Sequence, residues 1–180
     1  MNHRVAIVSS TLSHDHPLLY DELALPLHKS GWRVEIINPR FEGSDKNRIR
    51  FRRLPLEGNS IFKTRQKWRL ITESLLKSRA DVCILHEPML LPLIPKIKRL
   101  MPVQTAFLLF SPQQTTFLQR VTFGKAFLSR FLPFADSVMV KTEEQAQLLE
   151  QLGVRAAVIS DADSLSAICE KLEERGRYNV

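Results

Sequence analysis

Glycine is scarce, six residues in 180, and none falls in the turn 9–19, SSTLSHDHPLL, that follows the first apolar run. Without glycine that backbone cannot wrap a pyrophosphate as G-x-G-x-x-G or a P-loop does, which argues against a dinucleotide enzyme. No G-x-S-x-G elbow occurs either, so the serines make no specific case for a hydrolase. The two cysteines, Cys83 and Cys169, lack the spacing of a disulfide framework, a zinc site or a redox motif, and both read as packing residues. No apolar stretch is long enough to cross a bilayer, and the opening MNHRVAIVSSTLSHDHP has too short an apolar run and the wrong flanks for a secretory signal. The sequence therefore reads as that of a cytoplasmic protein. Low-complexity linkers and solenoid repeats are missing as well, so residues 1–180 are expected to form one domain.

What is present is an alternation of strand-like and helix-like text, with 44% hydrophobic residues to build a core. Apolar runs at 4–9, 32–38, 81–87, 103–111, 137–142 and 154–160 read as strands, apolar throughout, as parallel strands covered on both faces are. A seventh, RIRFRRL at 48–54, alternates arginine with Ile49 and Phe51 and reads as a strand near a sheet edge. Between them, 18–31 has helical periodicity ending in Gly31, with Pro26 expected to kink or split it. Residues 60–79 read as an amphipathic helix with Ile61, Trp68, Ile71, Leu75 and Leu76 on one stripe. A last helix over about 163–176 should pack back on the sheet, with Gly176 after its final turn. The pattern predicts a Rossmann-like, doubly wound α/β domain of about seven mainly parallel strands, with ligand chemistry beyond the carboxyl ends of the strands.

The formal charge is +7, and its excess is concentrated between Lys46 and Arg79. Arg48, Arg50, Arg52, Arg53, Lys63, Arg65 and Lys67 are candidates to meet an anionic partner such as an anionic lipid or a membrane surface, although a soluble basic face would look the same. The segment 117–134 mixes five phenylalanines with Arg120, Lys125 and Arg130. Core packing is the common use of such rings, and residence on a membrane surface is the other, with Gly124 expected to interrupt the helix. No nucleic-acid-binding motif is recognisable, and that partner class ranks low.

Two strand ends carry titratable groups. His14, Asp15 and His16 follow the first strand, and His86 and Glu87 end the apolar run 81–87. Parallel strands would bring all five to one edge, where imidazoles can bind hydroxyl groups or act as a base near neutral pH. H-x-H could also supply two metal ligands, but the spacing provides no third or fourth, and no metal is expected. A polar loop and a histidine bonded within a turn are the plain alternatives.

Three segments, in order, resemble the amino-terminal domain of GT-B glycosyltransferases of the family 4 type. They are SHDHPLLYDELALPLHKSGWRVEIINP, DVCILHEPMLLPL and ADSVMVKTEEQAQLLEQLGVRAAVIS, and the likeness covers residues 4 to about 160. The resemblance implies an acceptor-binding half, with His14, His16 and His86 as candidate catalytic groups and Asp15 and Glu87 lining the same cleft. Thr142 stands where the family usually has serine. Ser111 and Gln113 lie in a segment where the family commonly has a histidine. The family's E-x7-E pair, part of the donor-binding domain, has no counterpart in 1–180. The resemblance therefore implies that this chain is inactive alone and holds no cofactor, and that a nucleotide-sugar donor sits on a separate partner subunit. A sugar or lipid-linked acceptor would be met at the inner face of a membrane. A non-catalytic scaffold or regulator, descended from such a domain, is the alternative.

Overall fold

The structure, a computed structural model, describes residues 3–9, 17–38, 47–54, 64–109 and 122–178. Seven strands form one sheet: β1 (Arg4–Val8), β2 (Arg33–Asn38), β3 (Arg50–Arg53), β4 (Val82–Leu85), β5 (Gln104–Leu109), β6 (Ser137–Val140) and β7 (Ala157–Val158). Their order is β3-β2-β1-β4-β5-β6-β7, and every neighbouring pair is parallel. The Rossmann-like α/β fold expected from the sequence is therefore present, and its sheet, expected to be mainly parallel, is parallel throughout. β3 does lie at the edge, where its arginines also discourage pairing with another chain.

The helices are α1 (Pro17–Leu19), α2 (Leu25–Lys29), α3 (Thr64–Ser78), α4 (Ile94–Leu100), α5 (Thr122–Phe131), α6 (Glu143–Glu150) and α7 (Ala162–Tyr178). A π-helical turn, Tyr20–Ala24, joins α1 to α2, and 3-10 turns at Pro88–Leu93 and Leu132–Phe134 adjoin α4 and α5. Pro26 explains the first of these. Its missing N–H cannot serve the ladder, and the chain shifts register so that the Leu25 N–H donates to the Tyr20 carbonyl instead. Gly31, at φ 93°, ends α2 in the left-handed region that glycine enters without strain.

Because side chains alternate across a strand, the sheet separates two cores. On one face Ala6, Val8, Ile37, Cys83, Leu85 and Phe107 meet Ile71 and Leu75 of α3, Ile97 of α4 and Leu128 of α5. On the other, Val5, Ile7, Val34, Ile36 and Ile84 meet Leu19, Leu23 and Leu27, and Leu165, Cys169 and Leu172 of α7. The carboxy-terminal helix thus packs back on the sheet, and both cysteines are packing residues, their thiols pushed up to about 12 by burial.

Four local expectations need correction. Leu76 belongs to no buried stripe and is 47% exposed, because fifteen residues of α3 rotate it past the sheet-facing positions Ile71 and Leu75. α5 runs through Gly124 without interruption, with Leu128 buried and Phe127 and Phe131 packed against the core, so one glycine does not stop a helix held by packing. α7 likewise continues past Gly176 to Tyr178. β7 is two residues long, far shorter than the run 154–160. Ile61, Phe117 and Phe123 lie outside the residues whose side chains are described.

Thr142 opens α6 with a reciprocal capping box. Its hydroxyl accepts from the Gln145 N–H at 3.3 Å, and the Gln145 side chain accepts from the Thr142 N–H at 3.3 Å. Thr142→Ala is expected to cost about 0.5–2 kcal/mol, measured by urea unfolding, with Thr142→Ser nearly neutral. Equal stability of the alanine variant would remove the cap from the account.

Candidate functional site at the carboxyl edge of the sheet

In a sheet of this order the connections leave in opposite directions from β1 and β4, which opens a crevice at the carboxyl ends of those two strands. Ser9 follows β1 and His86 and Glu87 follow β4, so all three stand at that switch point. The tips are tightly joined. The Ser9 N–H donates to the Ile37 carbonyl at 3.2 Å, and the His86 N–H to the Val8 carbonyl at 3.3 Å. The Ser9 hydroxyl donates to Oε1 of Glu87 at 2.6 Å, a buried hydrogen bond between residues 78 apart in sequence.

Pro88 accounts for the geometry of this turn. A residue before proline is driven to extended backbone, and Glu87 is there at φ −107° and ψ 143°. Proline then begins the 3-10 turn Pro88–Leu93 with its φ already set, and the Leu90 N–H closes it on the Glu87 carbonyl at 2.9 Å. The strand therefore stops with His86 and Glu87 fixed at its mouth. Both side chains are enclosed, at 2% and 3% exposure, rather than spread along an open wall.

Among the other predicted site residues, Thr142 is exposed at the carboxyl end of β6, two strands and about 10 Å from β4, and acts as the helix cap described above. His14, Asp15, His16, Ser111, Gln113 and Lys63 lie outside the described residues. The basic set is divided between the two ends of the sheet. Arg48 and Arg50 are exposed at the amino end of β3, whereas Arg65 and Lys67 lie in the first turns of α3, about 20 Å away along its axis. Arg52 is engaged by Glu35, and Arg53 is exposed on the opposite face of β3. Ser9 was missed by the sequence reading. The available signal was a small hydroxyl closing one buried strand while a carboxylate closes another.

Ser9→Ala is expected to lower stability by about 1–3 kcal/mol, because it leaves a buried Glu87 oxygen short of a donor. Chemical denaturation measures this, and no change would show that the two tips do not depend on the bond.

Among the described residues, no group of three or more histidines, cysteines or carboxylates is placed to hold a metal ion, and no helix is long and apolar enough to cross a membrane. The description Glycosyl transferase 4-like domain matches residues 20–175. The chain belongs to that family. A search of curated protein sequences gives no significant match.

Solved structures show where the glycosyl transferase 4-like fold recurs. One chain of the sucrose-phosphate synthase from Thermosynechococcus elongatus is similar at TM-score 0.61 and 15% identity, covering 98% of each chain. The lipopolysaccharide outer core galactosyltransferase WaaB, in its apo form, is similar at TM-score 0.59 and 12% identity over 86% of this chain and 44% of its own. The UDP-GlcNAc 2-epimerase from Methanocaldococcus jannaschii is similar at TM-score 0.57 and 14% identity, over 98% of this chain and 52% of its own. In a longer chain of the synthase the match covers 45%, so these 180 residues span about half the length of such relatives. At these identities the likeness is one of fold, and the match agrees with GT-B architecture.

Proposed function

We propose that this glycosyl transferase 4-like domain is the acceptor-binding half of a glycosyl-transfer site, acting with a partner subunit that holds the nucleotide-sugar donor. The observation that carries the reading is the placement of Ser9, His86 and Glu87 at the β1–β4 switch point of a domain of this family. In transfer, the acceptor hydroxyl forms a bond to the anomeric carbon while the bond to the leaving diphosphate breaks, and the hydroxyl proton passes to a base. His86 is the candidate base, joined by His14 and His16, which follow β1 in the sequence. Glu87, held by Ser9, fixes the strand tip that carries His86 and, with Asp15, Ser111, Gln113 and Thr142, completes the acceptor-binding set.

The acceptor in this reading is a sugar or lipid-linked sugar met at the inner face of a membrane. Arg65 and Lys67, at the end of α3 nearest the crevice, would meet its anionic groups, with Lys63, which precedes them in sequence, and with Arg52 and Arg53 on the edge strand β3. The test is to purify the protein from its host and supply radiolabelled nucleotide sugars with a lipid extract of the host membrane. A stoichiometric partner and label entering the lipid fraction are expected only when both chains are present. A protein that purifies without a partner and transfers no label would contradict the proposal.

One observation favours a second reading. His86 and Glu87 are almost wholly enclosed, and the Glu87 carboxylate is engaged by Ser9, as in a domain that retains its strand tips for packing. In a scaffold of this kind, replacing His86 or Glu87 by a residue of similar size would leave cellular function intact.

A further inference from the structure

At the opposite end of the sheet, the amino ends of β1, β2 and β3 surround a cavity of about 510 Å³ lined by Arg4, Arg33, Arg48 and Arg50, with His28 and Glu35. The volume falls within the roughly 300–1,000 Å³ typical of small-ligand sites. Arg4 and Arg33 are in-register partners on β1 and β2, and Arg50 is paired with Glu35 on β3 and β2. Neighbouring strands are about 4.8 Å apart, so Arg4 and Arg33 set like charges side by side on one face of the sheet. The carboxylate in the cavity does not relieve this, because Glu35 is engaged by the Arg52 guanidinium. Among the described residues, no carboxylate forms an ion pair with the side chain of Arg4, Arg33, Arg48 or Arg50.

Arg48 reaches the cavity from strained backbone. It and Asn47 are consecutive non-glycine residues in the left-handed region, at φ 62° and 52°. Such conformations persist where the surroundings hold them, and here the Asn47 amide donates to the Tyr20 hydroxyl at 2.7 Å. Four arginines line this concavity, and a guanidinium is the planar, forked donor that suits phosphate oxygens.

We propose that this cavity binds a phosphate-bearing ligand, a diphosphate or a phosphomonoester, whose negative charge relieves the repulsion among Arg4, Arg33, Arg48 and Arg50. The site is about 17 Å along the strands from the carboxyl-edge crevice and is independent of the glycosyl-transfer reading. A soluble metabolite and a lipid headgroup both carry this chemistry.

The test uses the intact protein at low salt, titrated calorimetrically with inorganic pyrophosphate and floated with phosphatidylglycerol or phosphatidylcholine vesicles. Saturable binding of one pyrophosphate per chain is expected. Arg33→Gln and Arg50→Gln should each weaken it by about tenfold without lowering the melting temperature, since each also removes a like charge, while Arg99→Gln, at the exposed end of α4 and outside the cavity lining, leaves it intact. Arg33→Lys should recover only part, because a point charge lacks the fork. A headgroup as source predicts that the protein floats with phosphatidylglycerol and is displaced by pyrophosphate. A soluble source predicts no flotation alongside the same pyrophosphate binding. The proposal is overturned if pyrophosphate does not bind saturably, or if Arg99→Gln weakens binding as much as the cavity variants, the mark of a diffuse basic surface.

Discussion

Phe107→Ala should lower stability by about 3–5 kcal/mol, because it removes a ring from the core and leaves a cavity in its place. Phe107 is fully buried on β5, in register with Leu85 of β4 and Val138 of β6. For a domain of this size the loss amounts to a fall in melting temperature of roughly 10 °C, read by thermal circular dichroism. Leu76→Ala provides the contrast. Leu76 is 47% exposed, so its removal should change stability by no more than about 0.5 kcal/mol. If the two variants melted alike, the division into a packed face and a solvated one would be wrong.

The second large effect concerns His86. In the two-subunit transfer assay, His86→Gln is expected to reduce the rate by about 10²–10⁴-fold, the usual contribution of a positioned acid or base. Glutamine is chosen because it keeps polarity and most of the volume of a side chain that is 2% exposed, whereas alanine would add a cavity and confuse folding with chemistry. Unfolding of the variant should stay within about 1.5 kcal/mol of the parent. A stable variant with unimpaired transfer would favour the scaffold reading and remove the imidazole from the mechanism.

The sheet was legible from the sequence because its strands are buried on both faces and so appear as uninterrupted apolar runs, from Val5 to Val8 and from Val82 to Leu85. Strand limits were less legible. β7 holds only the two residues that pair with Met139 and Val140 of β6, and nothing in VRAAVIS records that limit. On local grounds Gly124 and Gly176 mark helix breaks, whereas α5 and α7 are held by packing that propensity does not see.

For the site, the strand tip at His86 and Glu87 could be placed because its apolar run and Pro88 mark it in the sequence. The Ser9–Glu87 bond could not, since it joins residues 78 apart and depends on the β1–β4 pairing. The basic residues show the same limit. Read as one cluster, they separate in space, since β3 carries the chain from the amino to the carboxyl end of the sheet before α3 begins at Thr64, which sets Arg65 far from Arg48. Arg4 and Arg33 join the amino-edge cavity only through strand register.

The central claim is that the tips of β1 and β4 receive the acceptor. Hydrogen exchange of the native two-subunit complex, with host lipid extract or with phosphatidylcholine alone, tests it most directly. Slowed exchange confined to the peptides around Ser9 and 86–93, seen with the host extract only, is the predicted result. Active transfer with those peptides unchanged, and protection elsewhere, would contradict it.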